Sequence, residues 1–247
     1  MNFAARIASM REACNKRDAA MVNNMVSKNM DDYEKIRLER GREIHCLFVE
    51  KVKEQLNKEL PPLYAGKSWD DFSVDCPQQS KIKKIAVRYV ETQSARLADG
   101  TGLFLSGQTG TGKTMFASIL AQEIVRYGSS VKYYSSLQFL RLFREKNFES
   151  HAAFEMLMKS YQHIQFLILD EVTEGRVIGG ELCGWEKEML YSLVDLRYQH
   201  RLPTIFISNL ERGDLLPRLG GRISSRLLER SIELAFNWDS YRNKQGK

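Results

Sequence analysis

Apolar positions recur along this chain with two different periods. Residues 1 to about 60 read as helix. Met21, Val22, Met25 and Val26 fall at helical spacing, and Ile44, Leu47, Phe48, Val52, Leu56 and Leu60 continue as a stripe at steps of three and four. Proline is absent before Pro61, and Gly41 is the one glycine in that stretch. Pro61-Pro62 then ends the helical pattern, because proline lacks the backbone donor and restricts the residue before it. Residues 61–79 read as a linker, with Trp69, Phe72 and Val74 as anchors onto the next domain. Ser80 to Leu97 reads as a further helix with Ile82, Ile85, Ala86, Tyr89 and Val90 on one face, and Asp99-Gly100 turns the chain.

Beyond that turn, short apolar runs alternate with helical stretches. The expected strands are Leu103–Ser106, Val131–Tyr134, Phe166–Leu169, Thr204–Ser208 and Ile232–Phe236. The expected helices are Met115–Tyr127 with Gly128 as its stop, Leu137–Arg144, Ala152–Tyr161, Glu181–His200 and Ile223–Arg230. In Glu181–His200 the buried face is Leu182, Trp185, Met189, Leu193 and Leu196. Such a rhythm predicts an α/β fold, a parallel sheet covered by helices on both faces. Ligands of such sheets bind beyond the carboxyl ends of the strands. The chain thus divides into a helical domain at 1–60, a linker at 61–79 and an α/β domain at 80–247. The first segment is short and charged. Two helices packed on each other there would leave methionine-rich apolar surface for a partner; helices packed on the main domain are the alternative.

Composition narrows the class. No apolar run approaches the ~18–20 residues that span a bilayer, and the start Met1-Asn2-Phe3-Ala4-Ala5-Arg6 has no secretory pattern. The expectation is a cytoplasmic protein with no membrane partner. Cys14, Cys46, Cys76 and Cys183 form no C-x-x-C pair, which argues against a zinc site or a disulfide framework. His45 and Cys46 point about 100° apart on a helix, so they would not readily share a metal. The net charge of +6 admits a polyanionic partner. Its distribution is uneven: residues 1–65 carry 12 basic and 10 acidic side chains, whereas residues 212–247 carry 8 and 4.

The chemistry centres on Gly107-Gln108-Thr109-Gly110-Thr111-Gly112-Lys113-Thr114, which fits the G-x-x-x-x-G-K-[ST] phosphate loop at every fixed position. It stands between a predicted strand and a predicted helix, the context the motif requires. Glycines let successive N–H groups point at phosphate oxygens, and the helix behind adds its positive end. Lys113 can reach β- and γ-phosphates, and the Thr114 hydroxyl can bind magnesium. The later run Phe166-Leu167-Ile168-Leu169-Asp170-Glu171 is an apolar strand ending in two carboxylates. Asp170 can hold magnesium through water, and Glu171 can deprotonate the water that attacks the γ-phosphate. Asn209 follows the next buried strand and can bond that water or the γ-phosphate. Arg222 and Arg226 lie four apart, on one helix face. An arginine unable to reach its own nucleotide can serve a neighbour's, stabilising charge on the transferring phosphate. Arg242, beyond the last strand, can return to its own site.

These motifs, a Walker A and Walker B pair followed by Asn209 and late arginines, resemble the AAA+ ATPases. Within them the chain is similar to the DnaC-type replicative helicase loaders. Three stretches carry that likeness: Trp69-Asp70-Asp71-Phe72-Ser73-Val74, Leu219-Gly220-Gly221-Arg222-Ile223-Ser224-Ser225-Arg226, and Phe236-Asn237-Trp238-Asp239-Ser240-Tyr241-Arg242. The resemblance covers about residues 68–247. It implies an AAA+ core without the usual helical lid, with Asn209 as sensor 1, Arg226 as arginine finger, Arg222 as its companion and Arg242 as sensor 2. It implies ATP and Mg2+ as ligands, slow hydrolysis to ADP by a lone subunit, and ATP-dependent self-association into a helix or ring. The implied partners are a hexameric replicative helicase, gripped by the N-terminal helices, and single-stranded DNA. DNA would be held by the insertion matching Leu137–Tyr161, where Arg144, Lys146 and Phe148 offer two cations and a ring. The host would be a bacterial cell or a phage-infected one. Two rivals stand beside the loader: an IstB-like transposition helper ATPase, and a helicase adaptor or inhibitor that does not hydrolyse ATP.

Overall fold

The computed structural model describes residues 46–172, 177–178, 181–182 and 184–241, apart from the side chains of Phe148 and of residues 177–178 and 181–182. The helical reading of residues 1–45, with Met21, Val22, Met25, Val26 and His45, lies outside the described residues, as do Cys14, Cys183 and Arg242. The chain divides into two compact units, Met1–Phe48 and Val49–Lys247.

The larger unit opens on helix α1, of which it holds residues 49–59. Leu56 and Leu60, on the stripe expected of an N-terminal domain, are buried in the core of this unit. In the expected linker, Phe72 is buried and Trp69 packs beside it, their ring centroids 6.4 Å apart. Val74 is not an anchor: it is exposed, two residues past Phe72.

α2 (Pro77–Glu91) and α3 (Gln93–Asp99) replace the single helix expected over 80–97. They part at Thr92, whose hydroxyl donates to the Arg88 carbonyl at 2.7 Å and so competes with the backbone ladder. β1 (Gly102–Ser106) leads into α4 (Lys113–Arg126), then β2 (Val131–Ser135), α5 (Ser136–Glu149), α6 (His151–Ser160) and β3 (Phe166–Asp170). Ser135 opens α5 with a reciprocal cap to Gln138, and the Ser150 hydroxyl caps α6 from the Ala153 N–H. The short pair β4 (Val177–Ile178) and β5 (Glu181–Leu182) runs antiparallel. It removes Glu181 and Leu182 from the expected helix. The intervening Gly179-Gly180 is a dipeptide suited to a two-residue hairpin, and the helix, α7, begins only at Gly184 (Gly184–Gln199). β6 (Thr204–Ile207), α8 (Arg212–Leu219), α9 (Gly221–Arg230) and β7 (Ser231–Ala235) complete the unit.

The five long strands form one parallel sheet, in the order β2-β3-β6-β1-β7. Strand side chains alternate between its two faces. Leu103, Leu105, Phe166, Ile168, Ile205 and Ile207 pack with α1, α2 and α4. Phe104, Leu167, Leu169 and Phe206 pack with α5, α7, α8 and α9. The expected parallel sheet with helices on both faces is therefore present. Among the described residues, no helix is long and apolar enough to cross a membrane.

Candidate nucleotide-binding site

At the carboxyl end of β1 the chain enters the phosphate loop. Gly107, Gly110 and Gly112 take φ of 132°, 85° and 91°. A Cβ on Gly107 would lie 2.5 Å from the Phe236 carbonyl oxygen, so close approach as well as dihedral demands glycine there. Gly112 precedes the first turn of α4, whose unpaired N–H groups and positive dipole end face the concavity. The Lys113 ammonium, nearly fully buried, donates to the carbonyls of Gly107 and Gln108, both at 2.7 Å. Burial lowers its pKa to about 8, against the pull of the Asp170 charge.

Asp170 ends β3 beside this lysine. Its Oδ2 accepts from the Tyr133 hydroxyl at 2.5 Å and its Oδ1 from the Glu171 N–H at 2.8 Å. Burial raises its pKa; the hydrogen bonds from Tyr133, Thr114 and the Glu171 N–H, with the Lys113 charge, work the other way. Burial first, and then the Asp170 charge and hydrogen bond, hold the Tyr133 phenol well above its ordinary value. The Thr114 hydroxyl and the Asp170 carboxylate are thus hard oxygen donors bonded to each other, the chemistry magnesium prefers. Among the described residues no group of three or more His, Cys, Asp or Glu could form a protein-only metal cage.

Glu171 has φ of 57°, in the left-handed region that non-glycine residues seldom enter. Such a conformation costs about 1–3 kcal/mol and persists only where the surroundings fix it. Here the Ser136 hydroxyl donates to the Glu171 carbonyl at 2.6 Å, and the Val172 N–H donates to the Ile207 carbonyl at 3.1 Å. The twist places Glu171 on a cleft of about 380 Å³ with Thr109, Gly110, Gly112, Lys113, Thr114 and Asn209. The cleft is also lined by Tyr64, Asp71, Phe72, Ser73, Met115 and Tyr241. Of these, Asp71, Phe72, Ser73 and Tyr241 fall in two of the stretches that resemble helicase loaders, whereas Tyr64 and Met115 carry no sequence signal. The segment after β7 folds back on the loop: the Trp238 indole donates to the Thr111 carbonyl at 3.1 Å and the Tyr241 N–H to the Gly110 carbonyl at 2.9 Å.

The other expected residues lie elsewhere. Arg222 and Arg226 are on α9 and do not line the cleft. Arg226 is ion-paired with Asp195, and its guanidinium carbon lies 5.0 Å from the Tyr191 ring centre and 5.4 Å from that of Tyr198. Arg222 lies 5.6 Å from the Tyr191 centre. Arg144 and Lys146 are on α5. Arg144 stacks 5.2 Å from the Trp185 centre and approaches Glu186 at 3.8 Å, while Lys146 binds both Glu149 oxygens at 2.7 and 2.8 Å.

With this geometry in view, likenesses to known proteins can be placed on it. A family model described as IstB-like ATP binding protein matches residues 49–247. The replicative helicase loader DnaC of Escherichia coli strain K12 is 27% identical over 189 residues, 75% of this chain and 73% of that protein. The crystal structure of the DnaC helicase loader superposes with a TM-score of 0.62 at 21% identity, over 71% of this chain and 99% of that one. The replication initiator DnaA bound to AMPPCP and single-stranded DNA superposes with a TM-score of 0.58 at 19% identity, over 73% of this chain and 51% of that one. These structural likenesses give the AAA+ core fold, and the family match spans both the phosphate loop and the two carboxylates: the chain belongs to the IstB-like ATP-binding protein family.

Proposed function

We propose that this protein is an ATP-controlled loader of a replicative DNA helicase. One observation carries the reading. Lys113, Thr114, Glu171 and Asn209 line a single cleft with Asp170 bonded to Thr114, while Arg222 and Arg226 lie on another part of the surface. That division suits an ATPase whose site is finished by a second subunit. The name of the Escherichia coli relative supports the replication role.

In this reading the loop N–H groups and Lys113 hold the β- and γ-phosphates. A magnesium ion held by Thr114 and, through water, by Asp170 would neutralise charge on the phosphate oxygens. Glu171 takes the proton of the attacking water, and Asn209 orients that water. Arg226 of a neighbouring subunit, with Arg222 beside it, stabilises charge on the transferring phosphate, and Arg242 serves the γ-phosphate of its own site. ATP biases assembly by binding the associated state better than the dispersed one. Residues 1–60 grip the hexameric helicase, and Arg144, Lys146 and Phe148 contact single-stranded DNA. A second reading, a transposition helper acting with a transposase on double-stranded DNA, is favoured by the family description that covers residues 49–247.

Glu171→Gln tests the chemistry. Steady-state turnover with helicase and single-stranded DNA should fall by about 10²-fold or more, while nucleotide binding persists. Unchanged turnover sinks the catalytic assignment, and a wild-type protein with no turnover supports a non-hydrolysing adaptor. Co-purification with a replicative helicase rather than a transposase, with and without ATP, separates the loader from the helper.

A further inference from the structure

β2 lies at one end of the sheet, and its outer edge is covered by the end of α1. Glu59 makes that cover. One carboxylate oxygen is ion-paired with the Lys132 ammonium, and the other accepts the Tyr133 N–H at 3.2 Å. This satisfies an edge N–H that an open strand would leave to solvent or to another chain. On the inner side β2 pairs with β3, Tyr133 opposite Ile168 and Ser135 opposite Asp170. Tyr133 and Ile168 belong to the same buried cluster, on the face covered by α4. Side chains two apart on a strand share a face, so Asp170 follows Ile168 on it. A tyrosine is long enough to span that step, and its hydroxyl meets Asp170 Oδ2 at 2.5 Å.

We infer that Tyr133 is a positioning residue for the Asp170 carboxylate, held in register by Glu59, and that it sets how well this nucleotide site takes up magnesium. The inference rests on the proposed ATP site and deepens it. Asp170 is buried, so its rotation is decided by which donors surround it rather than by water. The Glu171 N–H fixes Oδ1, and the Tyr133 hydroxyl fixes Oδ2. Without the phenol oxygen, the carboxylate would turn toward its remaining donors, the Thr114 hydroxyl and the Lys113 charge. Both belong to the site that has to hold the phosphates and the ion's water. A second cavity touches Glu59, Thr114, Tyr133, Asp170 and Glu171 together, so water has a route to this cluster from the α1 side. Only the tyrosine keeps a donor on Oδ2 without drawing on that route or on a phosphate-binding group.

The test is calorimetric binding of a non-hydrolysable ATP analogue to the full chain, in EDTA and in Mg2+, for wild type and Tyr133→Phe. The phenylalanine keeps the ring and its packing. Affinity in EDTA should stay within about twofold of wild type. The gain conferred by Mg2+ should shrink about tenfold, the scale of one hydrogen bond to a charged acceptor, and half-saturating Mg2+ for turnover should rise in step. Glu59→Gln should move the same readouts the same way, by a few-fold. It carries the test if Tyr133→Phe fails to fold. A Mg2+ gain equal to that of wild type in whichever variant is measured overturns the inference. Nucleotide binding absent from wild type itself would instead overturn the proposed ATP site, and this inference with it.

Discussion

The phosphate-loop cleft and the arginine face of α9 hold their charged groups by opposite means. In the cleft the backbone does the holding. Three glycines at positive φ, a glutamate at 57° and the C-terminal segment bonded to the Gly110 and Thr111 carbonyls fix the pocket by chain geometry. On α9 only side chains do so. Arg222, Arg226 and Arg230 alternate with the Tyr191 and Tyr198 rings of α7, and Asp195 pairs with Arg226. A backbone-built pocket arrives preorganised and complete for binding. A guanidinium resting on rings can leave them for about 1–2 kcal/mol, the scale of part-exposed cation–π and ion-pair contacts. That difference is what a site shared between two subunits needs: a fixed receptor on one side and a releasable charge on the other.

The largest expected effect tests that division. Arg226→Ala should lower turnover of the assembled protein by about 10³-fold, yet change nucleotide affinity of the dilute subunit by less than about twofold, because Arg226 is not on its own cleft. Glu171→Gln fails for the complementary reason. Mixing the two inactive variants creates some interfaces with an intact Glu171 on one side and an intact Arg226 on the other, so turnover should partly return. Absence of any recovery, measured across mixing ratios, would mean that both groups act within one chain.

The next effect concerns what supports the arginine face. Arg197 on α7 is buried and donates to five acceptors: Thr204 Oγ1 at 2.9 Å and the carbonyls of Tyr161, Ile164, Gln165 and Pro203 at 2.9, 2.9, 3.1 and 2.7 Å. It ties the helix carrying Tyr191, Asp195 and Tyr198 to the loops that enter β3 and β6. Arg197→Met keeps the volume and strands those acceptors, so it should destabilise the protein by about 3 kcal/mol or more, read by urea unfolding. A loss under about 1 kcal/mol would mean that water replaces the guanidinium. The arginine face would then rest on packing alone.

The two regions were unequally legible in the sequence. The phosphate loop could be read because its chemistry is imposed by backbone conformation, and only glycines at fixed spacing allow that. The strands were legible because β1, β3 and β6 are buried on both faces and stand out as apolar runs. α8 was not, since Gly213 and Pro217 inside it spoil the helical pattern, and the β4–β5 pair is too short for any periodicity to register. The Asp195 pairing and the tyrosine ladder join α7 to α9 through spacing that becomes visible only once the helices pack. Tyr133 stands in a strand that the sequence marks as merely aromatic. Its bond to Asp170 depends on the register of β2 against β3, which no local pattern encodes.

The smallest expected effect lies on a third surface, α5, where the two candidate DNA cations already have partners inside the chain. Arg144 sits on Trp185 near Glu186, and Lys146 on Glu149. Both pairs are part-exposed, and such pairs are worth roughly 0–1 kcal/mol, so a phosphate can compete for either cation. Arg144→Glu with Lys146→Glu should therefore weaken single-strand binding, and the slope of log affinity against log salt should become shallower by about 1.4, near 0.7 for each phosphate no longer neutralised. Folding stability should move by no more than about 0.5 kcal/mol, as for ordinary surface changes. Binding measured by fluorescence anisotropy across a salt series separates the outcomes. A slope unchanged from wild type would leave both cations as internal pairs of α5, and the DNA contact would have to be sought on another surface. A shallower slope with unchanged stability would make α5 resemble α9 rather than the cleft: charges parked on side-chain partners and released to an anion from another molecule.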